Sequence, residues 1–350
     1  MPKIVIIGTT SWGKTLSMVL SGNGLDVNLW ARTELEAAKV KSVGLDPINA
    51  PGKVLPPSLT ITASMADALA HAKAVMLVVP SQTMRRNIKL VSPYLKKGML
   101  VVSAAKGLEI GSNKRMSQVI TDEIDPEFHR YICTLSGPNL SREIMKGLPA
   151  ATVVAAEDES VARKAQKLLT TQNFCVYTNT DVIGVELGGA LKNIIALGAG
   201  MMDGLESGDN AKAALITRGL TEMTALGVAL GANPLTFSGL AGMGDLMATC
   251  ASVLSRNHHV GVELTKGRPL KEITDSMTGV AEGVTTVLAA WNIAQGLGLE
   301  MPITERIHQV LYEGVPPYQV VNEFIGLQGR HELAGRKWKL FSFIQPHKRS

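Results

Sequence analysis

The first half of the chain alternates short apolar runs with stretches of helical periodicity, and this alternation most restricts the fold. The runs fall at residues 4–7, 27–30, 60–62, 75–79, 100–103, 131–135 and 151–155, and helix-compatible stretches at 14–21, 65–70 and 114–123 lie between several of them. A strand with one wet face is apolar at every second residue, whereas a run apolar at successive residues is covered on both faces, as in a parallel sheet. Right-handed crossovers then wind such a sheet in both directions from its first strand. From about Val182 the pattern changes. Residues 182–205, 212–230, 283–296 and 303–312 read as helices, punctuated by Pro234, Pro269, Pro302 and Pro316-Pro317, and no strand is expected after Tyr177.

The expected architecture is therefore α/β, a Rossmann-type doubly wound sheet over residues 1–181, followed by an all-helical domain over 182–329 and a basic tail at 330–350. A chain of 350 residues suits two domains of about 100–200 residues each. With 45% apolar and 19% charged residues it can bury a core. The net charge of +5 belongs to the tail, where Arg330, Arg336, Lys337, Lys339, Lys348 and Arg349 face only Glu332. The remainder is neutral overall, which removes the global electrostatic case for a nucleic-acid partner. Trp338, Phe341 and Phe343 among those basic residues permit a contact with a membrane surface, against the alternative of a solvated or packed extension. Cys133, Cys175 and Cys250 form no CxxC and cannot all pair, which points to a reducing compartment, the cytoplasm, and away from a zinc site. The apolar run at the N-terminus is too short for a signal peptide. Residues 182–205 are long enough to span a bilayer, yet Glu186, Lys192, Asn193 and Asp203 favour a buried helix of a globular domain.

The first strand runs into Gly8-Thr9-Thr10-Ser11-Trp12-Gly13-Lys14-Thr15. This is a dinucleotide turn, G-x-G-x-x-G, with Thr10 where the middle glycine belongs, and it is also a literal G-x-x-x-x-G-K-[ST] phosphate loop. Either would hold phosphate at a helix N-terminus. A P-loop NTPase or kinase needs a neighbouring strand that ends in Asp to hold Mg²⁺, and the candidate strands end in Trp30, Val79-Pro80, Ser103 and Leu135. Thr10 counts against a dinucleotide, because the middle glycine normally admits the pyrophosphate, although its hydroxyl could itself bond phosphate. Where an acid would read the adenosine ribose stands Ala31-Arg32-Thr33, with no acid until Glu34. Arg32 could pair with a 2′-phosphate, so NADP(H) is expected to bind at least as well as NAD(H).

Three segments together resemble the bacterial-type glycerol-3-phosphate dehydrogenase [NAD(P)+] family. They are Gly8…Ser11-Trp12-Gly13; Glu186-Leu187-Gly188-Gly189-Ala190-Leu191-Lys192-Asn193; and Gly239-Leu240-Ala241-Gly242-Met243-Gly244-Asp245-Leu246 with Ser255-Arg256-Asn257. Shorter matches at 103–109, 136–138 and 279–283 extend the resemblance over about residues 2–325. It implies reversible reduction of dihydroxyacetone phosphate to sn-glycerol 3-phosphate with NAD(P)H, supply of glycerophospholipid synthesis and a homodimer; the residue spacings themselves give no metal site. It also implies Lys192 as the proton-transferring residue. Lys106, Gly137, Asn139, Ser141, Asp245, Ser255, Arg256 and Asn257 would contact substrate. Gly8, Ser11, Trp12, Gly13, Arg32, Lys106, Arg256, Val280 and Glu282 would contact cofactor.

The residue types suit that chemistry. Ketone reduction needs a hydride at carbon and a proton at the developing alkoxide. Lys192 lies in an otherwise apolar stretch, where desolvation would lower its pKa toward proton transfer. Gly188 and Gly189 would admit a flat ring or another backbone. Arg256 with Ser255 and Asn257 offers donors for a phosphate dianion, while a helix cap for Ser255 or Asn257 and a surface ion pair for Arg256 are the plainer readings. Asp245 would orient Lys192 or take a substrate hydroxyl, and Glu282 would accept from a nicotinamide carboxamide. His258-His259 lacks the spacing of a metal pair. Besides the NTPase, two alternatives stay open: a dehydrogenase of another 2-hydroxyacid-type substrate, and a non-catalytic dinucleotide sensor.

Overall fold

The computed structural model describes residues 2–45 and 54–325. The tail at 330–350 lies outside them. Eight strands form one sheet: β1 (Lys3–Ile7), β2 (Asp26–Trp30), β3 (Leu59–Thr62), β4 (Ala72–Leu77), β5 (Leu100–Ser103), β6 (Ile132–Ser136), β7 (Ala150–Ala155) and β8 (Phe174–Asn179). Their order is β3-β2-β1-β4-β5-β6-β7-β8. The chain steps one way from β1 to β3, returns to the other side of β1 at β4, and continues outward. The switch point thus lies between β1 and β4, paired with Ile7 opposite Leu77.

The sequence reading of this sheet needs two corrections. β7 runs antiparallel to β6, so the sheet is mostly rather than wholly parallel. β8 was not expected as a strand: it is an edge strand in which Cys175 and Tyr177 face solvent between buried Phe174 and Val176. Its burial alternates as in a half-covered strand, although Phe174-Cys175-Val176-Tyr177 is itself a run of successive apolar residues, so such a run need not be covered on both faces. The inner strands are covered on both: Ile4, Val5, Ile6 and Ile7 are all fully buried, their side chains divided between apolar clusters on the two faces of the sheet.

Beyond β8 the chain is helical among the described residues. The long helix Val182–Gly204 is apolar enough to cross a bilayer, but here it is the axis of the second domain, with 94% of its most apolar 18-residue window buried. Helices Asp209–Ala229, Asp245–Ala251, Arg256–Thr265 and Glu282–Leu297 pack round it. Glu186 on this helix is buried and satisfied across the domain boundary, accepting from Arg115 Nη1 (2.5 Å), Ser117 N (2.7 Å) and Ser117 Oγ (2.6 Å). The Asn193 amide donates to the Lys106 carbonyl at 3.1 Å. These ties hold the carboxyl edge of the sheet against the lysine-bearing face of the helix.

Candidate active site

The turn after β1 is built around two close approaches. Gly8 has φ +115°, and a Cβ there would stand 2.7 Å from the Val78 carbonyl; one on Gly13 would stand 2.0 Å from the Gly8 carbonyl. Neither position admits a side chain without moving backbone. Thr10 turns inward. Its hydroxyl donates to the Val78 carbonyl (2.9 Å) and accepts from Gly13 N (3.0 Å), capping the helix Ser11–Gly22. The side chain expected either to obstruct a pyrophosphate or to bond it is instead engaged in closing the switch point, which leaves the helix N-terminus and its dipole open to an anion. A cradle that a Cβ would fill fits a dinucleotide.

The same geometry removes support for a P-loop. Thr15, which would hold Mg²⁺, is 1% exposed and its hydroxyl donates to the Ser11 carbonyl at 2.9 Å. Beside it, Trp12 packs against Phe174 with ring centroids 6.1 Å apart, and its shielded indole N–H has no partner. Ser11 is exposed at the helix start, and Arg32 lies at the end of β2 in a salt bridge with Glu36 (3.2 Å).

Across the cleft, Asp245 joins two lysines from different domains. Lys192 Nζ donates to Asp245 Oδ1 at 2.6 Å and to Thr249 Oγ1 at 2.5 Å; Lys106 Nζ donates to Asp245 Oδ2 at 2.6 Å and to the Gly137 carbonyl at 2.7 Å. Asp245 is 1% and Lys192 7% exposed. Thr249 lies one helical turn beyond Asp245 and donates to its carbonyl (2.6 Å), so its oxygen is left to accept from Lys192. An ammonium has three N–H bonds. In each lysine two are engaged and one remains. Burial lowers the Lys106 pKa to about 8; Asp245 opposes the fall and the charge on Lys192 adds to it.

Local sequence explains the convergence. A Cβ on Gly188 would lie 2.5 Å from the Ala241 carbonyl, and one on Gly189 2.3 Å from Ser136 Oγ. These small residues let the helix meet the backbone of 239–244 on one side and the end of β6 on the other. Gly188 therefore admits a backbone, and its neighbour a serine. The segment Leu240–Gly244 forms a π-helical turn that delivers Asp245 to Lys192.

The third element is the Ser255-Arg256-Asn257 segment. Ser255 Oγ accepts from His258 N (3.3 Å) and caps the helix Arg256–Thr265. The Asn257 amide donates to Asn193 Oδ1 (2.8 Å), and its oxygen accepts from Gly283 N (2.9 Å). Both side chains are buried and bonded within the protein, yet among the described residues the Ser255 O–H and the second N–H of the Asn257 amide donate to nothing, so both can join the guanidinium of Arg256 in offering donors. Among the described residues its guanidinium has no hydrogen bond or ion pair. It lies against Gly279, where a Cβ would be 2.3 Å from Nη1. Partial burial lowers its pKa, and nearby Glu282 opposes the fall.

Glu282 accepts from Ser81 N at 2.9 Å and from the Ser81 hydroxyl. Burial raises its pKa. Its two oxygens thus tie the start of the helix Glu282–Leu297 to Ser81 across the domain boundary, with acceptor capacity left for the carboxamide contact expected of it. Val280 is exposed beside it. Asn139 donates to Thr152 Oγ1 (2.9 Å) and leaves its own oxygen shielded and unpartnered; Ser141 begins a short helix beside it. Thr249, Asn193, Ser81 and Glu36 were missed in the sequence. Only Thr249 carried a readable signal, its i+4 spacing from Asp245 on one helix face. Among the described residues no group of three or more His, Cys, Asp or Glu side chains is placed to hold a metal; His258 Nε2 bonds Asp203 at 2.7 Å.

A doubly wound sheet with an anion cradle at its switch point, facing a buried lysine–carboxylate centre on a helical domain, defines a two-domain dinucleotide-dependent dehydrogenase. Residues 3–162 match the family described as NAD-dependent glycerol-3-phosphate dehydrogenase N-terminus, and residues 181–322 match the corresponding C-terminus. The chain belongs to the NAD-dependent glycerol-3-phosphate dehydrogenase family, a family of oxidoreductases. It is 60% identical over 351 residues to the glycerol-3-phosphate dehydrogenase [NAD(P)+] of Dehalococcoides mccartyi, covering 99% of this chain and 96% of that one. Identity to the Geobacter metallireducens protein of the same name is 47%, over 92% and 96% of the two chains. The crystal structure of glycerol-3-phosphate dehydrogenase from Coxiella burnetii superposes with a TM-score of 0.87 at 33% identity, over 93% of this chain and 99% of that one.

Proposed function

We propose that this protein reversibly reduces dihydroxyacetone phosphate to sn-glycerol 3-phosphate with a nicotinamide dinucleotide. The observation that carries this reading is the Lys192–Asp245–Lys106 centre, in which one buried carboxylate joins a lysine from the helical domain to one from the carboxyl edge of the sheet. When bound, the reduced nicotinamide supplies a hydride for the carbonyl carbon. Lys192, steadied by Asp245 and Thr249, donates its remaining proton to the carbonyl oxygen, and in the reverse direction takes one from the alcohol. The free N–H of Lys106 serves the substrate's hydroxyl or phosphate, and Arg256 clamps the phosphate. Such a product would supply glycerophospholipid synthesis in the cytoplasm, and the family reading carries a homodimer with it.

Arg256 gives the direct test of a phosphorylated substrate. Arg256→Ala should raise KM for dihydroxyacetone phosphate by about a hundredfold or more, since charge-assisted bonds contribute roughly 1.5–3 kcal/mol each. The slow reduction of unphosphorylated dihydroxyacetone should change little. Equal losses on both ketones would place Arg256 elsewhere than at the phosphate.

Lys106 gives a pH dependence. As pH rises through about 8 it loses the charge that grips an anion, so KM for the phosphorylated ketone should climb on the alkaline side. Lys106→Arg, which stays charged, should flatten the climb even if kcat falls. The stability effect has the opposite sign. Between about 8 and the usual 10.5 the unfolded chain binds the proton that the folded protein has released, so this group favours folding increasingly as pH rises. Steady-state KM measured from pH 6.5 to 9.5 on both proteins decides the matter.

A further inference from the structure

The end of β2 carries two opposite charges, of which Arg32 alone was expected to read the cofactor. Glu36, in the first turn of the helix Glu34–Val43, accepts from the Arg32 backbone N–H (3.1 Å) and from Arg32 Nε (3.2 Å), and also from the Thr9 hydroxyl. Thr9 belongs to the turn that cradles the pyrophosphate. Because Ile7 pairs with Trp30, this turn and the end of β2 lie side by side. The Glu36 carboxylate therefore stands in the angle between them, where the adenosine ribose of a dinucleotide lies on such a sheet.

We propose that Glu36 sets this chain's choice between the two nicotinamide dinucleotides, its carboxylate accepting the adenosine 2′-hydroxyl and opposing a 2′-phosphate at Arg32. This rests on the dehydrogenase reading above. A carboxylate only accepts hydrogen bonds, so it suits a hydroxyl and repels a phosphate dianion. It also occupies Arg32 Nε, one of the donors that a 2′-phosphate would otherwise take. The bonds from Thr9 and Arg32 outweigh burial and hold the Glu36 carboxyl below its usual pKa, so it is charged at neutral pH.

The plainer roles for Glu36 explain less. Thr33-x-x-Glu36 is the pattern of a capping box, and Thr33 Oγ1 does accept from Glu36 N (3.1 Å). In that motif the acid returns to the N–H of the cap residue. Here it passes Thr33, reaches Arg32 and binds a side chain 27 residues away. As an exposed ion pair, with Arg32 75% accessible, the contact contributes little to stability, so Glu36→Gln should fold normally.

The test uses ADP-ribose and 2′-phospho-ADP-ribose, which differ in the deciding group and carry no nicotinamide. Their affinities are measured calorimetrically on the wild-type, Glu36→Gln and Arg32→Ala proteins, with thermal melts alongside. The ratio of 2′-phosphorylated to unphosphorylated affinity should rise roughly tenfold in Glu36→Gln and fall in Arg32→Ala. The kcat/KM ratio for NADPH over NADH should move the same way. A rise below threefold in Glu36→Gln, or a fall, overturns the proposal. If wild-type protein binds neither fragment, the dinucleotide reading itself fails, and the role given to Glu36 fails with it.

Discussion

Lys192→Ala should lower kcat for ketone reduction by about three orders of magnitude while the protein keeps its fold and its dinucleotide affinity. A positioned general acid contributes 10²–10⁴-fold, and about three decades is the middle of that range. The fold should tolerate the change because Asp245 keeps Lys106 on its other oxygen, so no uncompensated buried charge is created. Lys192→Arg should recover little, since a guanidinium does not release its proton. Single-turnover oxidation of bound NAD(P)H separates the chemical step from binding. A variant that keeps its chemical rate and loses only substrate affinity would make Lys192 a binding residue.

Asp245→Ala should be the most destabilising change at the centre, by about 3–5 kcal/mol, because it leaves two buried ammonium groups without their common counterion. Urea unfolding reads this as a lower midpoint. Two further results separate the charge effect from a simple cavity. The deficit should shrink toward alkaline pH, because Asp245 is what holds the Lys106 pKa up against burial and its removal lets Lys106 shed its charge more readily. Lys106→Met in the Asp245→Ala background should recover part of the stability, whereas a cavity effect would only deepen. A deficit independent of pH and unrelieved by the second substitution would contradict the counterion role.

The main architecture was legible because sheet and helices leave periodic traces. Inner strands such as Ile4–Ile7 announce burial on both faces, and the four long helices of the second domain begin and end within a few residues of the expected positions. β8 carries an apolar run at 174–177, but that it lies at the edge with one face open is not legible from the run itself. The reversal at β7 is not legible either, since strand direction depends on how the connection at Gly137 turns, which apolar patterning does not encode. At the site, a bond to Lys192 is one of the two roles that the sequence offers Asp245, whereas the carboxylate's second lysine depends on two domains closing on each other. Thr10 shows the limit of motif reading. Its identity suggested an obstacle, and only its rotamer, bonded to Val78, reveals a cap. Asn257 ties its helix to Asn193 and Gly283, contacts that residue type does not announce, and its second amide N–H stays available to a phosphate. Glu36 lies farther along the chain than the usual ribose acid, and only the fold brings its carboxylate back to Thr9 and Arg32.

The central claim is a centre that reduces a phosphorylated ketone at the expense of a nicotinamide dinucleotide. Its most direct test is the oxidation of NADH and NADPH, followed at 340 nm, against dihydroxyacetone phosphate, dihydroxyacetone and a 2-oxoacid, with Mg²⁺-dependent ATP hydrolysis assayed in parallel. The structure predicts rapid oxidation with dihydroxyacetone phosphate, far slower turnover with the other two, and no ATP hydrolysis. Absence of oxidation with dihydroxyacetone phosphate, or a faster reaction with the 2-oxoacid, would contradict it.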